Sequence, residues 1–361
     1  MDGIRTVRNG TENLTLDAVI ATRNRTDALA LSIPLLLGQS RPPERLIVID
    51  SSDDHRQTAE VVAEAVRGWP GRVILEHSDP GLPLQRNSGL RHVTAPIVLF
   101  PDDDSLFCPD ALEKILRIYE RDQESRIVGV AARETDRPPE GCLAEDSYQR
   151  SRTHQRQAAL APLRYRLERR FLAANPFRDL GLYLMQRHAL PGWLGEQNAV
   201  PIEFMTGFRM SFRTEVIRRI GFDETLVGHA LGEDIDASFA VAREGLLIGA
   251  RSAEVFHHKF PSGRGNGYMQ GAVGVLNRTY ILCKHMADGQ VTDAERRQFL
   301  KRLSTYIWLR FGAALPRGWH PEGFGRIKGI LAAMAPARRL RKVPRADLAR
   351  RYSQEREALD I

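Results

Sequence analysis

The 361-residue chain has little cysteine. Its three cysteines, Cys108, Cys142 and Cys283, are widely spaced and odd in number, so they form neither a zinc spacing nor a disulfide framework, and a reducing compartment is expected. No run approaches the roughly 18 apolar residues a spanning helix needs. The opening MDGIRTVRNGTENL has no apolar signal region. Together these absences predict a cytoplasmic protein, with peripheral membrane contact left open. Neither G-x-G-x-x-G nor G-x-x-x-x-G-K-[ST] follows the early strands, which argues against a nicotinamide Rossmann domain and a P-loop enzyme. There is no internal repeat. Acid is scarce at one end: Glu295–Ile361 holds 16 Lys and Arg against 6 Asp and Glu, or +10, leaving −3 for the remainder of a chain whose net charge is +7. Such a tail suits an anionic inner leaflet, with Ile327–Ala335 offering an apolar face, and it equally suits a solvated helical surface. The aromatic-interleaved basic motif of a nucleic-acid module is missing, so no nucleic-acid partner is predicted.

What is present is alternation. Leu16–Ala21, Arg45–Asp50, Val73–Glu76 and Ile97–Phe100 read as strands. Asp27–Leu37 (with Pro34 inside it), Thr58–Arg67 and Leu84–His92 read as helices between them. That order predicts an α/β fold, a mostly parallel sheet with helices on both faces. Asp110–Asp122 is a helix and Ile127–Ala131 a strand. From Arg133 to Pro201 the pattern loosens into an Arg-rich variable insertion with a helix near Leu160–Ala173. Phe204–Phe212 reads as a strand, Thr214–Ile220 and Asp234–Glu244 as helices, and Leu247–Ala250 and Glu254–Phe256 as two short strands. The chain then turns helical and basic.

Chemistry is carried mainly by acids. Ile97–Phe100 delivers Asp102, Asp103 and Asp104 to a sheet edge, where ligands collect in α/β proteins. Three adjacent carboxylates repel unless a cation or hydrogen bonds stabilise them, and hard oxygen ligands favour Mg²⁺ or Mn²⁺. An acidic turn capping the next helix is the plain alternative. Asp50 ends the second strand, placed for a ribose or base or for an Asx turn. Glu233-Asp234 opens a helix, where acids are stabilised by the backbone dipole and where a general base would be held rigidly. His257-His258 follows a strand, as a metal or phosphate contact or as a structural hydrogen bonder. Ser262–Gly267, with Arg264, suits a lid over a diphosphate or a plain loop.

Taken in order, these segments resemble the inverting, GT-A-fold glycosyltransferases of family two. Val19-Ile-Ala-Thr-Arg-Asn-Arg25 is similar to the family's V-x-P-T-Y-N-R, with Ala21 for Pro and Arg23 for Tyr. Leu46–Asp54 resembles its nucleotide-reading strand, Gln85–Leu90 its A-R-N-x-G, and Leu99–Asp104 its D-x-D region, with Pro101 where many members are apolar. Thr206–Phe212 resembles the acceptor-side segment. Gly221–Glu224 and Gly232–Asp236 resemble the G-F-D-E and E-D elements around the catalytic base. Val255–His258 resembles a late His of the same site, and Asn277–His285 the R-N-R-x-x-L-x-x-K-H helix. The resemblance spans Leu16 to His285, and the 133–201 insertion has no counterpart in it.

The resemblance implies a GT-A (Rossmann-like) domain over 1–285 and a helical, basic C-terminal extension over 286–361. It implies metal-dependent inverting transfer of a sugar from a nucleoside-diphosphate sugar to an acceptor hydroxyl, in polysaccharide or glycoconjugate synthesis. Asp234 would be the catalytic base. Ala21, Thr22, Arg25, Asp50, Arg86, Asp102 and Asp103 would bind the nucleotide, Asp50 reading uracil or thymine of a UDP- or dTDP-sugar. Asp104 and His257 would hold Mg²⁺ or Mn²⁺, and Gly207 and Glu233 would lie on the side of a glycan or lipid-linked glycan acceptor. A nucleotidyl or phosphoryl transferase using the same cation is the rival reading, and it gives no role to Glu233-Asp234.

Overall fold

The computed structural model describes residues 13–142, 175–226, 230–259, 266–287 and 291–361. The expected helix at 160–173 and most of the 262–267 loop lie outside them. The strands are β1 (Leu16–Thr22), β2 (Arg45–Asp50), β3 (Arg72–His77), β4 (Ile97–Pro101), β5 (Ser105–Phe107), β6 (Ile127–Thr135), β7 (Ala199–Pro201), β8 (Arg209–Arg213) and β9 (Leu246–His257). They form one sheet in the order β3-β2-β1-β4-β8-β6-β9-β5, with β7 also on β9. The β1–β2, β2–β3, β1–β4 and β6–β9 pairs are parallel, and β5, β7 and β8 run against their neighbours.

Both faces of the central strands are apolar, as a sheet covered on both sides requires. Val19, Ile47, Ile49, Val98 and Phe100 point to one face, and Ala18, Ile20, Leu46, Val48 and Leu99 to the other. Helices α1 (Thr26–Leu37) and α4 (Ala111–Arg121) cover the second face. The first carries α3 (Leu82–His92), α5 (Pro176–Met185), α6 (Thr214–Ile220), α7 (Glu233–Val241) and α8 (Gly267–His285). Close approach explains Gly89 on α3: a Cβ there would lie 2.3 Å from Val19 Cγ1. The edge helix α2 (His55–Ala65) starts on a true cap, Asp54 accepting from the Arg56 and Gln57 N–H groups.

The basic C-terminal helices α9 (Asp293–Ala314), α10 (Pro321–Leu340) and α11 (Arg345–Glu357) belong to the same core as the first face, through Leu303, Ile330, Leu340 and Tyr352. Helices α8 and α10 cross so closely that a Cβ on Gly329 would lie 2.0 Å from the Tyr268 carbonyl oxygen, and one on Gly271 2.2 Å from that of Arg326.

Two expectations change, and two strands were not expected. The expected strand at 204–212 shrinks to β8, because residues 206–208 turn to spend their backbone groups on the site described next. The two strands expected between 247 and 256 are one strand, β9, whose irregularity shows as a register shift against β6. The three-residue strands β5 and β7 had no periodicity to reveal them, and both are fixed by pairing with β9.

Candidate active site

The acids converge where β1, β2 and β4 end. Ala21 is bridged to Asp102 across that edge. The Asp triplet then diverges. Asp103 turns back to β1, accepting from Thr22 Oγ1 at 2.9 Å and from Arg25. Arg25 also donates to Asp104 at 2.9 Å. Burial raises the Asp103 pKa to about 7 against the pull of Arg25. Asp104 faces β9, because β5 pairs Ser105 with His257 and brings His257 Nε2 to 3.2 Å from the Asp104 carboxylate. The His257 ring lies flat on Phe208, their centroids 4.4 Å apart.

Asp102, Asp104 and His257 therefore each offer a ligand atom within 4.8 Å of the others. Two hard carboxylates and an imidazole fit Mg²⁺ or, with the nitrogen donor, Mn²⁺. Asp102 stands with the expected ligands Asp104 and His257, whereas Asp103 stands with Thr22 and Arg25.

Asp50 is wholly buried at the end of β2. It accepts from the Ser52 N–H at 2.9 Å and meets His55 Nδ1 at 2.7 Å. His77, its register partner on β3, completes a second group of three possible ligands. Sequence reading missed His55 and His77. The signal for His77 was its place at the end of the strand beside Asp50, which only the sheet order supplies.

Arg86 ties this edge to α7. Its buried guanidinium donates to Asp102 at 3.0 Å and pairs with Glu233 at 2.6 Å. It also lies over the Phe222 ring at 5.4 Å. Next to Glu233, Asp234 accepts from the Gly207 N–H at 3.0 Å and from the Ile235 N–H at 2.8 Å. Burial raises the Asp234 pKa despite those two bonds. Burial likewise lifts Glu233, to about 8, even with Arg86 beside it. Gly207 thus holds Asp234 by its N–H and Arg86, at 3.4 Å, by its carbonyl oxygen.

Outer residues lock this arrangement. Asn87 accepts from the Phe222 N–H at 2.8 Å and donates to the Phe222 carbonyl at 2.9 Å, fixing the loop before α7. Lys284 on α8 donates to Asp223 and Asp236, both at 2.7 Å, while His285 meets Asp236 at 2.8 Å. The segments singled out from sequence at 85–90, 221–224, 232–236 and 277–285 are therefore one bonded assembly.

Residues 17–172 match the model of glycosyl transferase family 2. An uncharacterized glycosyltransferase of Haemophilus influenzae (strain Rd) is 28% identical over 106 residues, 29% of this chain, and the match spans about a third (35%) of that relative's length. Among solved structures, the mannosyltransferase PcManGT from Pyrobaculum calidifontis, in complex with GDP-Man and Mn²⁺, superposes with a TM-score of 0.53 at 16% identity, over 97% of this chain and 88% of that one. With its sheet and its acid-lined edge the chain has a GT-A-type fold, and the residues that match the glycosyl transferase family 2 model, 17–172, run from β1 past β6 of that fold.

Proposed function

We propose that the chain transfers a sugar from a nucleoside-diphosphate sugar to an acceptor hydroxyl, with inversion at the anomeric carbon. The observation that carries this reading is Arg86. One buried guanidinium joins Asp102 of the acid cluster to Glu233, whose neighbour is Asp234. The acid-lined edge and the helix start that carries Asp234 are thus joined through one side chain, which supports displacement of a diphosphate by an alcohol between them.

In this reading Asp104, His257 and Asp102 hold Mg²⁺ or Mn²⁺, which when bound neutralises charge gathering on the leaving diphosphate. PcManGT, which holds GDP-Man and Mn²⁺ on a like fold, supports that choice. Asp50 receives the base and Asp103, with Thr22 and Arg25, the ribose side; a UDP- or dTDP-sugar is the donor. Asp234 takes the acceptor's proton as its oxygen attacks from the face opposite the diphosphate. Its environment suits that role: burial makes the carboxylate more basic, and the Gly207 and Ile235 N–H groups fix its orientation. Glu233 holds Arg86 and borders the acceptor. The acceptor is a glycan, lipid-linked if the basic C-terminal helices rest on a membrane, and the setting is polysaccharide or glycoconjugate synthesis.

Incubation with a panel of nucleotide sugars and Mn²⁺ tests the reaction class. Slow release of nucleoside diphosphate and free sugar is expected, because water replaces the absent acceptor. Release of nucleoside monophosphate and sugar 1-phosphate instead, by cleavage of the P–O–P bond, would replace sugar transfer with nucleotidyl transfer.

A further inference from the structure

Two arginines, one of them within reach of Asp234's charge, take no part in the site described so far. Arg278 of α8 and Arg310 of α9 each lie 5.8 Å from the centre of one ring, Tyr306. Arg278 donates to the Gly274 carbonyl at 2.6 Å, and Arg310 to the Tyr306 hydroxyl at 3.3 Å. Among the described residues neither guanidinium has a carboxylate ion pair. Arg278 is positioned by α8, which lies against the segment leading into α7. Asn277 donates to the Leu231 carbonyl at 3.1 Å, and Ile281 touches Gly232. Arg278 thus borders the approach to Asp234, and Asp234 is the acid whose charge reaches it.

Like charges packed on one ring in a partly dry setting repel. Burial, then Arg310, lowers the Arg278 pKa to about 10. An anion between the two forks would relieve both costs. Two guanidiniums present up to ten N–H donors in planar forks, a match for the several oxygens of a phosphoryl group. The donor's diphosphate is served from other elements, by the acids of β4 and by His257 of β9. We propose that Arg278 and Arg310 form an anion subsite beside Asp234 that holds a phosphoryl group of the acceptor, a role that rests on the sugar-transfer reading. The phosphoryl group belongs either to a soluble phosphorylated glycan or to a lipid headgroup.

Calorimetric titration of the full chain with methyl phosphate in EDTA tests this, since chelation removes any phosphate held through a cation at Asp102 and Asp104. Saturable binding is expected. Arg278→Gln and Arg310→Gln should each weaken it by about tenfold or more, the range of a lost charge-assisted hydrogen bond. Arg310 is exposed, so its variant is expected to fold even if Arg278→Gln does not. A parallel arm measures co-sedimentation with phosphatidylcholine vesicles with and without phosphatidic acid. Methyl phosphate binding that both variants lose, with vesicle binding untouched, assigns a soluble acceptor. Losses in both arms assign a lipid-borne phosphate. The proposal is overturned if the wild type binds neither probe, or if folded Arg310→Gln binds both as the wild type does, which makes the cluster a mere packing contact between α8 and α9. No donor, cation or turnover enters this assay. Its failure leaves sugar transfer standing, and an inactive donor panel leaves the anion result standing.

Discussion

Asp234 combines two opposed influences. Burial makes its carboxylate more basic, while two backbone N–H bonds favour its charged form and aim it. Asp234→Asn keeps the shape and removes the proposed proton acceptor. Turnover is therefore expected to fall by about 10²–10⁴-fold, the usual worth of general base catalysis, while donor affinity stays unchanged. Steady-state rates beside a donor-binding titration check this, and near-normal turnover would move the base elsewhere. Residues of this kind were legible in the sequence because a short run fixes them: Asp102–Asp104 follow a buried strand, and Glu233-Asp234 open a helix. The partners were not. His257 owes its contact with Asp104 to the pairing of β5 with β9, and His55 and His77 meet Asp50 only once β2 and β3 lie side by side. A side chain whose role depends on register across a sheet leaves no local trace.

Between α7 and α8, the junction is electrostatic. Burial alone would raise the Asp223 pKa, but Lys284 and hydrogen bonds from Lys284, Tyr280 and Thr225 hold it at about 2, below its ordinary 3.8. The folded state thus favours the ionised form, and this stabilisation is fully present above pH 3.8 and is lost as pH falls towards 2. The shift corresponds to about 2 kcal/mol. Asp223→Asn should therefore lower unfolding free energy by about 2 kcal/mol at neutral pH, with the deficit shrinking only below about pH 4. Urea unfolding of both proteins across that range checks it, and a deficit that is already gone at about pH 6 would mean that Lys284 does not hold Asp223 ionised. Most elements were legible because apolar periodicity sets them, even α1 with Pro34 inside. Residues 204–208 were misread as strand: the run Phe204, Met205 and Phe208 is apolar, yet the backbone at Gly207 serves Asp234 and Arg86 instead of a neighbouring strand.

Across the whole molecule, the C-terminal helices present two faces. One is core, shared with the sheet through Leu303, Ile330 and Leu340. The other exposes Trp308, Leu315, Trp319, Phe324 and Leu331, with Trp319 97% accessible. Over Arg296–Ala346 thirteen Lys and Arg accompany a single acid, Glu322. Composition showed the charge, but only the packing of α8 against α10 decides which apolar residues are left outside. No helix among the described residues is long and apolar enough to cross a membrane. Exposed aromatics among basic side chains suit the headgroup layer of an anionic bilayer, where each nearby Lys or Arg contributes about 1 kcal/mol. Flotation with phosphatidylglycerol vesicles is thus expected, and not with phosphatidylcholine alone. Raising salt to about 0.5 M should weaken it, because screening shortens the reach of the basic face. Trp319→Ser with Phe324→Ser should weaken it further at low salt, by removing the inserted rings and leaving charge untouched. Both substitutions fall on half-exposed or fully exposed side chains, so the fold is expected to survive them. Flotation that salt abolishes and the double variant does not change would reduce this face to a charged surface without insertion. No flotation at any salt would leave these helices as a cover for α8 and remove the argument for an acceptor held in a membrane.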